Sequence, residues 1–363
     1  MENKIIYLKS LIDFFILKTG LLFSSFVRNS KILLFINSGQ LGDVIISSKI
    51  LESEFFFDDY DYIYMLIQEE YLNLLEDYKG NIIIIGYNNF QFKYNYFYRI
   101  WLILKLRKLK ISTVYNLTSA RPTWNDSLAL GIGAKRVFSF TNSWEKIRKV
   151  FPNQTDRLYS EILNFGTNEY HRIEKIISVF SKSNFAIEKT IIWKGDYEIN
   201  KYDIIISPFS SSITKDWDIE KFHIIISWLS NKYKILLLGS HSQRQELLYL
   251  KSNRNISISA GTIELKKLFS YISNCRLFIG LDSGISHLAI KTNCKSIILL
   301  GGGTYNNYFP IPKDSETIYL THKMSCFNCE WKCNQDKNYC LDKISVEIVT
   351  NKLKQILTNN EDS

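Results

Sequence analysis

The sequence lacks a membrane-spanning run. A helix that crosses a bilayer needs about 20 consecutive apolar residues with few charges. The apolar stretch from Ile5 to Val27 is interrupted by Lys9, Asp13 and Lys18. No small-residue cleavage site follows it, which disfavours a secretory signal. Residues 1–30 are therefore expected to be an N-terminal amphipathic helical extension, packed on the next domain or resting on a membrane surface. The common nucleotide fingerprints are missing too. The glycine loop Gly39-Gln40-Leu41-Gly42-Asp43 is not a G-x-G-x-x-G, and no Gly-Lys-Ser/Thr follows it. This disfavours nicotinamide enzymes and P-loop nucleotidases. No recognised nucleic-acid-binding module is present. Cysteine is sparse, at six residues, and without a signal peptide a reducing cytoplasmic compartment is the default, so a disulfide framework is not expected.

What is present bounds the rest. A chain of 363 residues with 46% apolar content is long enough for about two domains. The net charge of +9 favours an anionic partner, whether a nucleoside diphosphate, an anionic membrane or nucleic acid, without choosing among them. The 22 Tyr and 23 Phe accompany heavy use of Ile, Asn and Lys and are not read as a binding feature.

Hydrophobic periodicity predicts alternating strands and helices. Lys31–Asn37 reads as a buried strand ended by Ser38-Gly39, and Val44–Phe56 has helical spacing. Strands follow at Tyr62–Gln68 and Ile82–Ile85, then a basic helix at Arg99–Lys110 and a strand at Thr113–Leu117. Residues 121–200 carry a weaker pattern. It restarts with strands at Asp203–Ser207, Lys234–Leu238, Leu277–Ile279 and Ser296–Leu300, and helices at Ile219–Asn231, Thr262–Ser273 and Ser345–Leu357. The alternation predicts an α/β protein with two doubly wound, Rossmann-like domains, residues 31–195 and 196–325, followed by a cysteine-containing loop and terminal helix over 326–363.

Three segments carry candidate chemistry. In Leu281-Asp282-Ser283-Gly284-Ile285-Ser286-His287-Leu288 a strand ends and a helix begins. Gly284 lets backbone approach a ligand, and the new helix offers free N–H groups to a phosphate. Asp282 and Ser283 add side-chain hydrogen bonds, and His287 is expected one turn in, on the same rim. In Ser207-Pro208-Phe209-Ser210-Ser211-Ser212-Ile213-Thr214-Lys215-Asp216-Trp217 a hydroxyl-rich loop leads to Lys215, a cation suited to a diphosphate. Asp43, at a helix N-terminus, is either a capping acid or a catalytic one.

Taken in order, Gly42-Asp43-Val44, Lys215-Asp216-Trp217 and Asp282-Ser283-Gly284-Ile285-Ser286-His287-Leu288 resemble glycosyltransferase family 9, the heptosyltransferase family, over roughly residues 31–345. Gly39-Gln40 stands where that family usually has small hydroxyl residues, Lys49 stands near a usual Pro, and Gly302-Gly303-Thr304 replaces a Gly-Pro-Thr. The resemblance implies a GT-B fold, two Rossmann-like domains facing a central crevice. It also implies inverting glycosyl transfer without a catalytic metal. Asp43 would be the general base on an acceptor hydroxyl, and general-base assistance is typically worth about 10²–10⁴ in rate. Lys215 would stabilise the leaving nucleoside diphosphate. Gly42, Thr214, Asp282, Ser283, Gly284, His287 and Thr304 would bind the donor, with an ADP-heptose favoured. The acceptor would be a glycan, a lipid-linked lipopolysaccharide core or a protein, met in the cytoplasm or at the inner face of the cytoplasmic membrane. The residues leave open a UDP- or GDP-sugar donor, and also a non-catalytic sugar-nucleotide-binding subunit.

Cys326-x-x-Cys329-x-x-x-Cys333-x₆-Cys340 has the donor set of a tetrahedral thiolate site for zinc or iron. Such clusters occur near the C-terminus of some family 9 members. Four Cys ligands would leave no open position, so any metal there would be structural. Cys275 and Cys294 are expected to be buried thiols.

Overall fold

The computed structural model describes residues 30–52, 59–76, 78, 80–118, 120–141, 155–166, 168–180, 201–311 and 316–358. The expected N-terminal extension and the expected boundary near residue 195 lie outside them. The chain divides into two compact units, residues 1–166 with 171–192, and residues 167–170 with 193–363. No helix among the described residues is long and apolar enough to cross a membrane.

The first unit is built on six parallel strands: Ile32–Ile36 (β1), Tyr62–Gln68 (β2), Ile82–Tyr87 (β3), Thr113–Asn116 (β4), Arg136–Phe140 (β5) and Glu161–Leu163 (β6). Their order is β3-β2-β1-β4-β5-β6. Leu33, Leu34, Phe35 and Ile36 are all buried, because a parallel sheet is covered on both faces and its inner strand reads as a continuous apolar run. Pairing reverses direction between β1 and β4, so the chain leaves these two adjacent strands toward opposite sides. A crevice therefore opens at their carboxyl ends.

The first helix departs from the sequence expectation. Leu41–Ser47 (α1) starts three residues before Val44 and gives way to a 3₁₀ turn, Ser48–Glu52; the rest of the expected helix, to Phe56, lies outside the described residues. It starts early because Asp43 accepts the backbone N–H of Gln40 at 2.8 Å, satisfying a donor that the first turn leaves orphaned. It stops early where the hydroxyls of Ser47 and Ser48 donate back to the carbonyls of Val44 and Ile45, at 3.0 and 2.7 Å, in competition with the helix ladder. Asn89–Tyr94 (α2) and Tyr96–Arg107 (α3) follow β3. The basic helix thus begins at Tyr96, where Asn95 caps the N–H of Tyr98 at 3.1 Å, and ends before Lys110, whose φ is 53°. Thr123–Gly131 (α4) and Glu169–Phe180 (α5) fill the region where the sequence pattern was weak.

The second unit repeats the plan. Strands Ile204–Ile206 (β7), Ile235–Gly239 (β8), Ile256–Ala260 (β9), Leu277–Leu281 (β10), Ser296–Leu299 (β11) and Thr317–Leu320 (β12) are parallel, in the order β12-β11-β10-β7-β8-β9. Counted from its own first strand, this is the order of the first unit, with the reversal between β7 and β10. Helices Ile219–Leu229 (α6), Arg244–Leu250 (α7), Leu265–Ser273 (α8) and Gly284–Lys291 (α9) connect them. The expected helix start at Thr262 is not used: the Thr262 hydroxyl pairs with Ser259 at 3.1 Å, and the helix begins at Leu265. Tyr339–Asp342 (α10) and Val346–Thr358 (α11) complete the unit. Leu341, Ile344, Val349 and Leu353 share one buried cluster with Ile204, Leu237 and Leu281. The indole N–H of Trp217 donates to the carbonyl of Ile344 at 3.0 Å. The residues after 326 are therefore integral to the core of the second unit.

Candidate active site

Both units gather their polar side chains at the carboxyl ends of the central strands. In the second unit, β7 runs into the loop Ser207–Ser212 and a 3₁₀ turn, Ile213–Lys215. β10 runs into Asp282 and then α9. The two meet in an ion pair, with Lys215 Nζ donating to Asp282 Oδ2 at 3.1 Å. Thr304 Oγ1 donates to the same oxygen at 3.2 Å. Three residues separated by 67 and 22 positions thus share one oxygen. Ser283 caps α9, its hydroxyl accepting the N–H of Ser286 at 3.4 Å. Gly284 opens the helix beside it. Asp216 accepts the N–H of Ser210 at 2.7 Å, which closes the hydroxyl loop. Burial raises the Asp216 carboxyl above the ordinary Asp range, against that hydrogen bond.

His287 sits differently from its expected position on the rim. It is 4% exposed. Its ring stacks on Phe309 at a centroid distance of 4.2 Å, and its Nδ1 lies 2.7 Å from the Tyr170 hydroxyl. Burial pushes its pKa down to about 4, Asp282 opposing and Lys215 assisting. The ring is neutral at pH 7. Thr214 is exposed, and its hydroxyl pairs with Ser212 at 2.8 Å.

Sequence reading missed the residues that hold Lys215 in place. Trp331 lies under its ammonium, 5.6 Å from the ring centroid. The Asn338 side-chain amide donates to the carbonyl of Thr214. Both belong to the cysteine-containing segment. That segment also explains the triple glycine: a Cβ on Gly301 or Gly303 would come within 2.4 or 2.3 Å of Trp331, and one on Gly302 within 2.2 Å of Phe327. Glycine is required there because aromatic rings occupy the space a side chain would need. The only sequence signal was the aromatic residues between the cysteines.

Four thiols have the right chemistry for a tetrahedral site, but no three His, Cys, Asp or Glu side chains among the described residues converge as metal ligands. Cys333 Sγ lies 3.0 Å from Asn338 Oδ1. Cys326 and Cys329 are half-buried, Cys333 is exposed and Cys340 is buried. All four thiols line one small pocket with Phe327, Trp331 and Asn338, and the aromatic rings of this segment pack against Gly301, Gly302 and Gly303. Cys294 is buried and Cys275 half-buried, their sulfurs 3.4 Å apart.

The first unit has a different rim. Asn37 and Gln68 fasten the loop after β1. Asn37 donates to the carbonyl of Asp43 at 2.9 Å and to Ser47 at 2.7 Å. Gln68 donates to the carbonyls of Ser38 and Gly39 at 3.0 and 2.6 Å. Gly39 lies against the candidate base, because a Cβ there would come within 2.4 Å of Asp43. Gly42 sits in the first turn of α1. Behind this loop a buried chain of hydrogen bonds runs inward. Ser38 pairs with Thr118 at 3.0 Å and accepts from Asn125 at 2.5 Å. Asn116 donates to Asn125 and to Tyr159, at 2.7 and 3.1 Å. Tyr159 donates to Asp126 at 2.7 Å, and Arg121 pairs with Asp126 at 2.8 Å, both charged partners buried. Lys49 forms an ion pair with Glu174 at 3.3 Å.

Comparison with known proteins agrees with this geometry. Residues 169–339 match the model of glycosyltransferase family 9 (heptosyltransferase). Lipooligosaccharide heptosyltransferase 2 of Campylobacter jejuni subsp. jejuni (serotype O:2) is 27% identical over 154 residues, which is 40% of this chain and 48% of that protein. The chain thus aligns with about half the length of this curated relative. Among solved structures, a glycosyl transferase family 9 protein from Veillonella parvula superposes with a TM-score of 0.67 at 19% identity, covering 92% of this chain and 99% of that one. The ADP-heptose lps heptosyltransferase II of E. coli gives 0.61 at 15%, covering 91% and 99%. The fold is the two-domain α/β arrangement of the GT-B heptosyltransferases. Family model, curated relative and fold agree: residues 169–339 match glycosyltransferase family 9, and the chain is similar in sequence and fold to its heptosyltransferases.

Proposed function

We propose that the protein is an inverting glycosyltransferase that moves a heptose from an ADP-heptose to an acceptor hydroxyl, without a catalytic metal. The observation that carries this reading is the Lys215–Asp282–Thr304 cluster beside the N-terminus of α9. Asp282 holds the Lys215 ammonium at the switch point of the second sheet. A diphosphate arriving there meets a positioned cation and the free N–H groups of Gly284 and Ile285. Both stabilise the charge that grows on the leaving group as the glycosidic bond breaks. Asp282, released from its ion pair, and Thr304 remain to hydrogen-bond the donor hydroxyls. Ser283 and Thr214 border the same rim. His287, neutral and enclosed, supports the start of α9 from behind and donates no charge.

Asp43 is assigned as the general base. Its Oδ2 accepts the N–H of Gln40, which holds the side chain at the start of α1. The proton passes to Asp43 as the acceptor oxygen attacks the anomeric carbon from the face opposite the diphosphate, which inverts that centre. The hydrogen-bond network from Ser38 to Arg121, with Asn37 and Gln68, holds the loop that carries it.

Calorimetric titration with ADP, UDP and GDP tests the donor. Tight binding of ADP, weakened at least about tenfold by Lys215→Ala, is expected. Preference for UDP or GDP would move the assignment to another sugar nucleotide. Failure to bind all three would favour the non-catalytic subunit.

A further inference from the structure

The helix α3 is apolar on two faces. Leu102, Ile103 and Leu106 are buried in the first unit's core, together with Arg99, whose guanidinium donates to the carbonyls of Phe92 and Lys93 at 2.9 and 3.1 Å. The opposite face is open: Phe97 is 88% exposed, Trp101 52%, Leu104 48% and Ile100 45%. These positions are spaced i, i+3, i+4 and i+7 and form one stripe. Phe90 and Tyr94, immediately before α3, are 68% and 62% exposed. A single exposed apolar residue is ordinary, but a continuous stripe containing Phe and Trp is not.

The charge around the stripe is one-sided. Between Asp77 and Asp126 the chain has no Asp or Glu and eight Lys or Arg, of which Arg99 and Arg121 are buried. Lys105, Lys108 and Lys110 are exposed at the C-terminal end of the stripe. The Lys105 ammonium rests over Trp101, 5.1 Å from the ring centroid. A protein partner would have to match apolar and cationic surface residue by residue. A bilayer with anionic headgroups matches both without register, because the rings and aliphatic chains enter the acyl boundary while the lysines remain among the phosphates.

We propose that this face of α3 docks the protein on an anionic lipid bilayer. The stripe is continuous in sequence with the carboxyl rim of the first sheet. An open cleft there is lined by Gln68, Glu69, Glu70, Asn88, Phe90, Lys93 and Tyr94, and Gln68 also grips the loop of Asp43. If Asp43 is the base, docking brings a lipid-linked acceptor to the cleft beside it. The docking itself does not depend on that reading.

The test is co-sedimentation of the full chain with vesicles of phosphatidylcholine alone and with 30% phosphatidylglycerol added, without donor or acceptor. Binding to the anionic vesicles is expected, weak on the neutral ones and falling as salt rises. Phe97→Glu/Trp101→Glu should lower the partition coefficient at least about tenfold, and Lys105→Glu/Lys108→Glu should lower it on anionic vesicles only. All four side chains are exposed, and unchanged thermal melting of both variants shows that the fold is intact. Undiminished binding of both folded variants would overturn the proposal, since another part of the chain would then carry the contact. Concentration-dependent dimerisation abolished by Phe97→Glu/Trp101→Glu, with no vesicle binding by the parent, would assign the stripe to a second copy and overturn it as well. Neither outcome touches nucleotide binding, so the donor assignment stands or falls separately.

Discussion

The two units share one strand order and use its crevice in opposite ways. At the β7/β10 reversal the second unit places a charged pair at the rim, with the Lys215 side chain 18% exposed and that of Asp282 9%. At the β1/β4 reversal the first unit places amides and hydroxyls, Asn37, Ser38, Asn116, Thr118 and Asn125, and withdraws its own charged pair, Arg121 with Asp126, into full burial. The same strand order thus carries an ion pair at one rim and a network of amides and hydroxyls at the other. A rim charge can exchange its partner for a ligand. A buried charge can only stabilise, because separating it from its partner leaves an unpaired ion in a medium of low dielectric.

The largest effect that would break this comparison is at Asp43. Asp43→Asn should lower turnover by about 10²–10⁴ while calorimetry shows donor affinity unchanged; loss of donor binding would mean the first unit also binds nucleotide. Next come the two charged pairs. Arg121→Met should reduce stability by about 3–5 kcal/mol in urea unfolding. Lys215→Met should leave the unfolding midpoint nearly in place and weaken the nucleotide at least about tenfold. Equal losses of stability in the two variants would erase the distinction.

A smaller effect concerns His287. Its folded pKa of about 4 lies below the ordinary value of about 6.5, so the unfolded chain binds more protons between those values. Stability contributed by the neutral ring is complete above about pH 6.5 and is lost as pH falls toward 4, on the order of 2–3 kcal/mol. Urea unfolding of His287→Gln should show a flatter pH dependence over that window; an unchanged slope would assign the acid sensitivity elsewhere. The smallest effect is at Trp331. Replacement by Leu removes a cation–π contact to Lys215 worth about 0.5–2 kcal/mol. It should raise the donor KM a few-fold, with the Lys215→Ala background insensitive to the same change.

The sequence pattern located the strands better than the helices. Continuous apolar runs such as Lys31–Asn37 have few alternatives to a buried strand. The ends of α1 and α3, by contrast, were set by single hydrogen bonds from Asp43, Asn95 and the Ser47-Ser48 pair. Motif spacing nominated Asp43, Lys215 and Asp282, the family resemblance added Thr304, and the last three converge on one carboxylate oxygen. It also nominated His287, which the fold encloses behind Tyr170 and Phe309. Helical position alone does not say which neighbours cover a face.

The sequence by itself determined the number of Rossmann-like units, the order of the motifs and the residue types at each loop, because these follow from apolar periodicity and local turn chemistry. Only the tertiary structure decided what each polar group faces. It made the Cys326–Cys340 segment the packing that requires Gly301, Gly302 and Gly303 and steadies Lys215. It buried Arg121 while leaving Phe97 and Trp101 open. Burial is a property of which surfaces meet, and residues more than 60 positions apart, such as Lys215 and Asp282, meet only once the sheet is formed.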